Sequence, residues 1–378
     1  VNDLVKAVSA EASRGVLHIC LSQGWGGLEM YPIRVGKGLI AQGWRVFGLA
    51  LAGSRVAREM KAAGLEVVEV TSRGSALLQL PVLLGWVTRC GIRVVHCHKS
   101  SDLLLAALLK QWRPLRLIFT EHMGAKRPKK DLLHRWIYRK VDRVLAISDE
   151  TLARNRAALP LPAERIQRLW LGTELTHLVE GDEDPAIIRR ELGIADGPLI
   201  GMVGRFSPGK GQRELIDAFC LLRDEFAGLQ LLLVGGKQAV EGADEAFVAE
   251  LQQYINEQQL SAVVQLSGFR RDTARMLQAM DVVAIPSHNE AFGLTVIEAM
   301  AAAKPIVGAY TGAIPEVLGE CGLLADPLQP EALAGQLRLL LRDPELRTQL
   351  GRQARIRAEQ EFGMPRHLDA LIGVYHLG

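Results

Sequence analysis

Short apolar runs alternate with amphipathic stretches along the chain. The runs are rich in Val, Ile and Leu, as expected of strands covered on both faces. In the first half they predict strands at 16–21, 45–49, 66–70, 94–97, 117–120 and 144–147. Helical periodicity fills the intervals at 29–41, 55–63, 76–89, 101–110 and 132–140. Strands separated by helices need crossover connections, and crossovers make a parallel sheet. The pattern then restarts, with strands at 199–203, 231–234, 263–266, 282–285, 306–307 and 322–324. Helices are predicted at 214–226, 244–257, 272–279, 295–302, 330–341 and 344–361. Two successive α/β patterns of similar length imply two similar doubly wound domains. Turn residues and acidic charge over 171–198 place the junction there, giving domains of 1–173 and 174–362. A last helix near 365–375 follows a breaker, and the expectation is that 363–378 crosses back to complete the first domain.

A chain of 378 residues exceeds one ordinary core, which agrees with two domains. Its longest apolar stretch, Leu77–Val87, is broken by Gln79 and Pro81 and is too short to span a bilayer. The first residues, VNDLVKAVSAEASRG, lack the apolar run of a secretory signal. Five scattered cysteines form neither a disulfide framework nor a CxxC zinc pair. These features predict a cytoplasmic location. The net charge is +3, yet Met123–Arg143 alone holds eight cations, among them Lys126 and Arg127, against two carboxylates. The rest is therefore net acidic. One local basic patch implies one anionic partner surface and argues against nucleic acid. Within GAKRPKKDLLHRWIYRKVDR, at 124–143, cations stand beside Leu and Trp, the composition of an interfacial helix. The same apolar residues also suit packing against a sheet.

Ligands of such sheets bind beyond the carboxyl ends of the strands, and three motifs fall there. Gly24-Trp25-Gly26-Gly27-Leu28-Glu29 follows the first strand. It matches neither the P-loop nor, with Glu29 in the third position, the GxGxxG fingerprint. It reads equally as a phosphate-approaching loop or a plain turn. Gly204-Arg205-Phe206-Ser207-Pro208-Gly209-Lys210-Gly211 can bring two cations to one point, and two cations can neutralise a diphosphate leaving group without metal. In Pro286-Ser287-His288-Asn289-Glu290-Ala291-Phe292-Gly293-Leu294-Thr295-Val296-Ile297-Glu298, residues Phe292 to Thr295 offer backbone N–H groups at a helix start. Glu290 in the loop can accept from sugar hydroxyls, and Glu298 one turn on can reach a ribose. His96-Cys97-His98 does not predict a metal site, because neighbouring strand residues point to opposite faces.

Together the motifs resemble glycosyltransferase family 4, the retaining enzymes of GT-B fold, in which two Rossmann-like domains face each other across a cleft. EAFGLTVIE resembles that family's pair of glutamates eight apart, VGRFSPGKG its diphosphate segment and GGLE its Gly-Gly loop. SGF, AAAKPIVG, TGAIPEVL and GLLADP agree with it as well. The departures are Ala291 and Ala313 where glycines are frequent. The resemblance implies that Arg205 and Lys210 meet the donor diphosphate, Glu290 the transferred sugar and Glu298 the ribose. Backbone near Phe269 and Arg270 holds the base, while Gly26 and Gly27 close over the phosphates. His122 then stands near donor sugar and acceptor, although a hydrogen-bonded strand-end histidine is an equal reading. His98 and Asp102 are expected on the acceptor side. The expected reaction is retaining, metal-independent transfer from a nucleotide sugar to a glycan or glycolipid hydroxyl, in lipopolysaccharide or other surface-glycan synthesis. The enzyme would sit peripherally on the inner membrane face. A sugar-nucleotide epimerase and a non-catalytic sugar-nucleotide or lipid-binding protein are the alternatives.

Overall fold

The computed structural model describes residues 15–179 and 183–376. The N-terminal segment read above for a signal sequence lies outside them, up to residue 14, as do the acidic junction residues 180–182 and the last two residues.

The chain forms two compact units. One runs to Thr173 and takes in the segment from Met364 onward; the other is Glu174–Gly363. Among the described residues the first holds a seven-stranded parallel sheet, in the order β3-β2-β1-β4-β5-β6-β7. Its strands are β1 Gly15–Cys20, β2 Arg45–Leu51, β3 Glu66–Val70, β4 Val94–Cys97, β5 Arg116–Glu121, β6 Arg143–Ala146 and β7 Ile166–Arg168. The second holds a six-stranded parallel sheet, ordered β10-β9-β8-β11-β12-β13. Its strands are β8 Leu199–Val203, β9 Gln230–Val234, β10 Val264–Leu266, β11 Val282–Ile285, β12 Ile306–Ala309 and β13 Leu323–Ala325.

The central strands are buried along their length, which explains their unbroken apolar runs. Each sheet reverses strand order once, at β1/β4 and at β8/β11. Connections leave to opposite faces at such a point, so the loops after those strands flank a crevice.

Several elements differ from the sequence expectation. The helix expected at 76–89 is two, Arg73–Leu78 and Leu80–Arg89, hinged at Gln79. Ser72 caps the first through a capping box with Ser75. The helix expected at 214–226 spans Gln212–Cys220. Helices Asp149–Ala158 and Pro185–Glu191 and the strand β7 were not foreseen. The terminal helix Met364–His376 belongs to the first unit, where it packs on the helix Gly27–Ala41. Gly38 makes that approach close, since a Cβ there would lie 2.5 Å from Leu368 Cδ1.

Candidate active site

In the second unit the loops after β8 and β11 emerge side by side at the reversal and are locked together. His288 N donates to Gly209 O at 2.9 Å. Gly211, at φ +87°, runs so close to the neighbouring loop that a Cβ would sit 2.1 Å from Pro286 O. The loop after β12 closes the other side: Ala313 N donates to Glu290 O at 2.8 Å, and Thr311 Oγ1 to Ser287 O at 3.0 Å. Three strand ends thus fix one small surface.

On that surface Lys210 Nζ and Glu290 Oε1 form an ion pair, with both side chains mostly buried. Arg205 is exposed on the same turn, and its backbone carbonyl is held by Gln212 Nε2 at 2.7 Å. Gly293, at φ +89°, opens the helix Leu294–Ala301. The first-turn N–H groups of such a helix have no partners within it and carry the positive end of its dipole. The Phe292 side chain is core, packed edge-on against Phe362, so only its backbone contributes here. Leu294, Thr295 and Glu298 are half-buried along the helix. After β10, Gly268 at φ +81° turns the chain, Phe269 is exposed, and Arg270 is engaged by Asp272 through two bonds of 2.8 and 2.6 Å. Sequence reasoning brought Arg205, Lys210 and Glu290 to neighbouring strand ends, but not the direct Lys210–Glu290 bond.

In the first unit the glycine loop Gly24–Gly27 leads into the helix Gly27–Ala41, with Gly26 as its N-cap. Two carboxylates brace it. Glu29 accepts from Ser22 Oγ at 2.7 Å and lies 3.5 Å from Lys99 Nζ. Asp102 is buried, accepting from Leu21 N at 2.8 Å and from Arg73 Nε at 2.7 Å. Asp102 therefore holds the loop after β1.

Below that loop lies a buried cluster that the sequence reading missed. His96 and His98 share a face of β4 and its extension, Cys97 points away, and His18 on β1 stands in register with His96. His18 Nδ1 and His98 Nε2 are bonded at 2.9 Å. His96 is bonded to Tyr375 Oη and Thr120 Oγ1, each at 2.7 Å. Tyr31 Oη meets His367 Nε2 at 2.9 Å, and the Tyr31 ring lies edge-on to His122, with centroids 5.1 Å apart. His122 is buried, and its Nε2 has no hydrogen bond among the described residues. Nitrogens of His18, His96 and His98 come within 4.8 Å of one another. Each of these three rings is already engaged in hydrogen bonding. The cluster ties the terminal helix, through His367 and Tyr375, to the strand ends.

Burial pushes His18 and His122 down to about 3 and His367 to about 4, and it lowers His96 and His98 well below the usual histidine range. All five stay neutral in the folded state near pH 7, whereas in the unfolded chain they protonate below about 6.5. Depressed folded values mean stability that is full above that pH and lost as pH falls toward 4 to 3. Each such histidine removes up to about 1.4 kcal/mol per pH unit across that window. The melting temperature is therefore expected to fall steeply between pH 7 and pH 5, before most carboxylates titrate. A flat profile over that range would contradict the buried neutral cluster.

The basic segment forms a separate surface. Lys126, Arg127, Lys130, Arg135 and Arg139 are exposed. On the helix Leu132–Arg139, Ile137 and Tyr138 face the core while Leu132 and Leu133 are 83% and 54% exposed. Alongside runs a groove of about 670 Å³ lined by Lys130, Arg135, Arg139, Arg165 and Pro160–Pro162. Among the described residues, no helix is long and apolar enough to cross a membrane.

Two Rossmann-like units in one chain, the second bearing a cationic turn, a helix N-terminus and a glutamate on adjoining strand ends, define a glycosyltransferase of the GT-B fold. Comparison with known proteins makes the assignment specific. Residues 25–177 match Glycosyltransferase Family 4, and residues 184–357 match Glycosyl transferases group 1. The chain belongs to this family of glycosyltransferases. A D-inositol 3-phosphate glycosyltransferase of Corynebacterium efficiens is 27% identical over 87% of this chain and 85% of its own. The lipopolysaccharide core biosynthesis mannosyltransferase LpcC of Rhizobium leguminosarum is 27% identical over 75% of this chain and 78% of its own. The crystal structure of Anabaena HepE in complex with UDP-glucose superposes with a TM-score of 0.80, at 22% identity, over 95% of this chain and 98% of the other.

Proposed function

We propose that the enzyme transfers a sugar, with retention of configuration, from a nucleoside-diphosphate donor held by the second unit to a hydroxyl of a lipid-linked or lipopolysaccharide-type glycan. The observation that carries this is the Lys210–Glu290 pair beside the start of the helix Leu294–Ala301 on adjoining strand ends, with Arg205 exposed on the same turn as Lys210. Departure of the diphosphate builds negative charge. The two cations and the positive end of the helix Leu294–Ala301 stabilise that charge electrostatically, in place of a divalent metal. Glu290 holds sugar hydroxyls, Glu298 the ribose, and backbone at Phe269 and Arg270 the base. In the first unit, Gly26 and Gly27 form a loop without side chains at a helix start, which suits a phosphate group. His122, neutral and with a ring nitrogen uncommitted, serves the transferred sugar or the acceptor. The UDP-glucose bound by HepE supports a nucleotide-sugar donor, and the named activity of LpcC supports a surface-glycan acceptor. Transfer rates with and without EDTA should agree. A large loss on chelation that magnesium or manganese restores would refute the cationic mechanism.

The acceptor reading extends to the basic surface. Exposed Leu132 and Leu133 beside Lys126, Arg127, Lys129 and Lys130 suit an anionic membrane on which a lipid-linked acceptor is presented. Each cation near such a surface contributes at most about 1 kcal/mol, and salt screens it. In co-sedimentation at low salt, wild type should bind anionic and not zwitterionic liposomes. The variant with those four cations changed to Ser should stay in the supernatant. Equal recovery of both proteins in the supernatant with anionic lipid would contradict the docking role.

A further inference from the structure

The Lys210–Glu290 ion pair joins the group that would hold the diphosphate to the group that would hold the sugar. Both side chains are mostly buried, at 24% and 16% exposure, so neither charge is fully hydrated. Leaving one of them unpaired would be unfavourable. We propose that this pair is an exchange latch: Glu290 occupies Lys210 when no donor is bound, the donor diphosphate displaces it, and the freed carboxylate then takes the sugar hydroxyls. The inference rests on the nucleotide-sugar reading above and adds an order of events and a consequence for product.

The backbone allows the exchange by side-chain motion alone. Glu290 O is held by Ala313 N, and Gly312 packs against the Glu290 backbone, where a Cβ would come within 2.5 Å of its carbonyl oxygen. Lys210 N donates to Ser207 O at 3.2 Å, and Gly211 is pinned against Pro286. Both loops are therefore fixed and only the two long side chains need turn. Arg205, exposed on the same turn, is the cation the diphosphate meets without displacing Glu290.

The consequence is asymmetric. An intact donor repays the broken pair by giving Glu290 new partners in the sugar hydroxyls. A nucleoside diphosphate without sugar does not, and leaves a mostly buried carboxylate uncompensated. Once the sugar has been transferred, Glu290 competes for Lys210 and weakens the hold on the diphosphate product. The latch thus favours donor over product at one site.

The test has an outcome opposite in sign to that of an ordinary donor-binding residue. Calorimetric binding of UDP, GDP and ADP would be measured for wild type, Glu290→Gln, Lys210→Ala and the double variant, with Glu290→Ala as a second truncation and melting temperatures as the fold control. With the competitor removed, Glu290→Gln should bind the preferred diphosphate about two- to fivefold more tightly than wild type, the scale of one partly exposed ion pair. Glu290→Ala should shift in the same direction. In the Lys210→Ala background the glutamine substitution should have no such effect. Unchanged or weaker binding in folded Glu290→Gln would overturn the latch, as would equal tightening without Lys210. If none of the three nucleotides binds wild type, the nucleotide-sugar reading fails and takes the latch with it.

Discussion

Glu290→Ala is expected to cut sugar transfer by roughly 10²–10³ in kcat, the loss typical of one contact that strengthens in the transition state. The same substitution should leave the melting temperature close to that of wild type. Glu290 contributes no core packing, and its backbone bond to Ala313 survives truncation. What is lost is a partly solvated ion pair, worth up to about 1 kcal/mol. The test is acceptor-dependent release of nucleoside diphosphate, alongside thermal unfolding of the same preparation. Full activity in Glu290→Ala would remove the carboxylate from the mechanism.

Gly211→Ala is expected to be the most damaging single-methyl change in the site. Two costs combine at this residue. Its φ of +87° is left-handed, which costs a non-glycine residue about 1–2 kcal/mol. Its Cβ would also lie 2.1 Å from Pro286 O and 2.7 Å from Pro286 C, both backbone atoms that cannot swing away. The β8 and β11 loops must part to admit it, so a total loss of about 2–4 kcal/mol is expected, together with most activity, because Lys210 moves with the turn. Gly209→Ala is the internal control. Its φ of +80° is equally left-handed, but the nearest atom to its Cβ is His288 Nδ1 at 3.9 Å. It should show the backbone cost alone. Denaturant unfolding of the two variants measures the difference, and equal losses would contradict the loop crossing.

The legible part of this fold was its central strands. The runs at 94–97, 199–203 and 282–285 coincide with β4, β8 and β11, because strands covered on both faces carry an uninterrupted apolar signal. Elements at the margins were illegible for the same reason. The strand β7, IQR, is a three-residue edge with one buried side chain. The helix Asp149–Ala158 buries only Thr151, Asn155 and Ala158, so it shows little apolar periodicity, although Ser148 and Thr151 form a capping box at its start. The split at Gln79 falls inside one stretch of helical periodicity, where Gln79 and Pro81 were its only local marks.

The candidate site divides in the same way. Loops such as 204–211 and 286–293 are contiguous, so their chemistry could be read locally. The bond between Lys210 and Glu290 spans eighty residues and depends on which strands are neighbours. The histidine cluster draws His18, His96, His98, His122 and His367 from three strands or their ends and the terminal helix. Only the alternation of His96 and His98 hinted at it, and neither Tyr31 nor Tyr375 carried a local signal. Asp102 is expected from sequence on the acceptor side, and its bracing of the loop, like that of Glu29, shows only once Ser22, Lys99, Leu21 and Arg73 are placed around them.

The central claim, that the second unit seats the diphosphate of a nucleotide sugar, is tested most directly by the melting temperature of wild type with UDP-, GDP- and ADP-sugars. A ligand that binds only the folded state stabilises it by about 2.7 kcal/mol at a hundred times its dissociation constant. One base series should therefore raise the melting temperature by several degrees in a dose-dependent way, and Lys210→Ala should lose most of that shift. No shift with any of the three series, in a protein that melts cooperatively, would contradict the account.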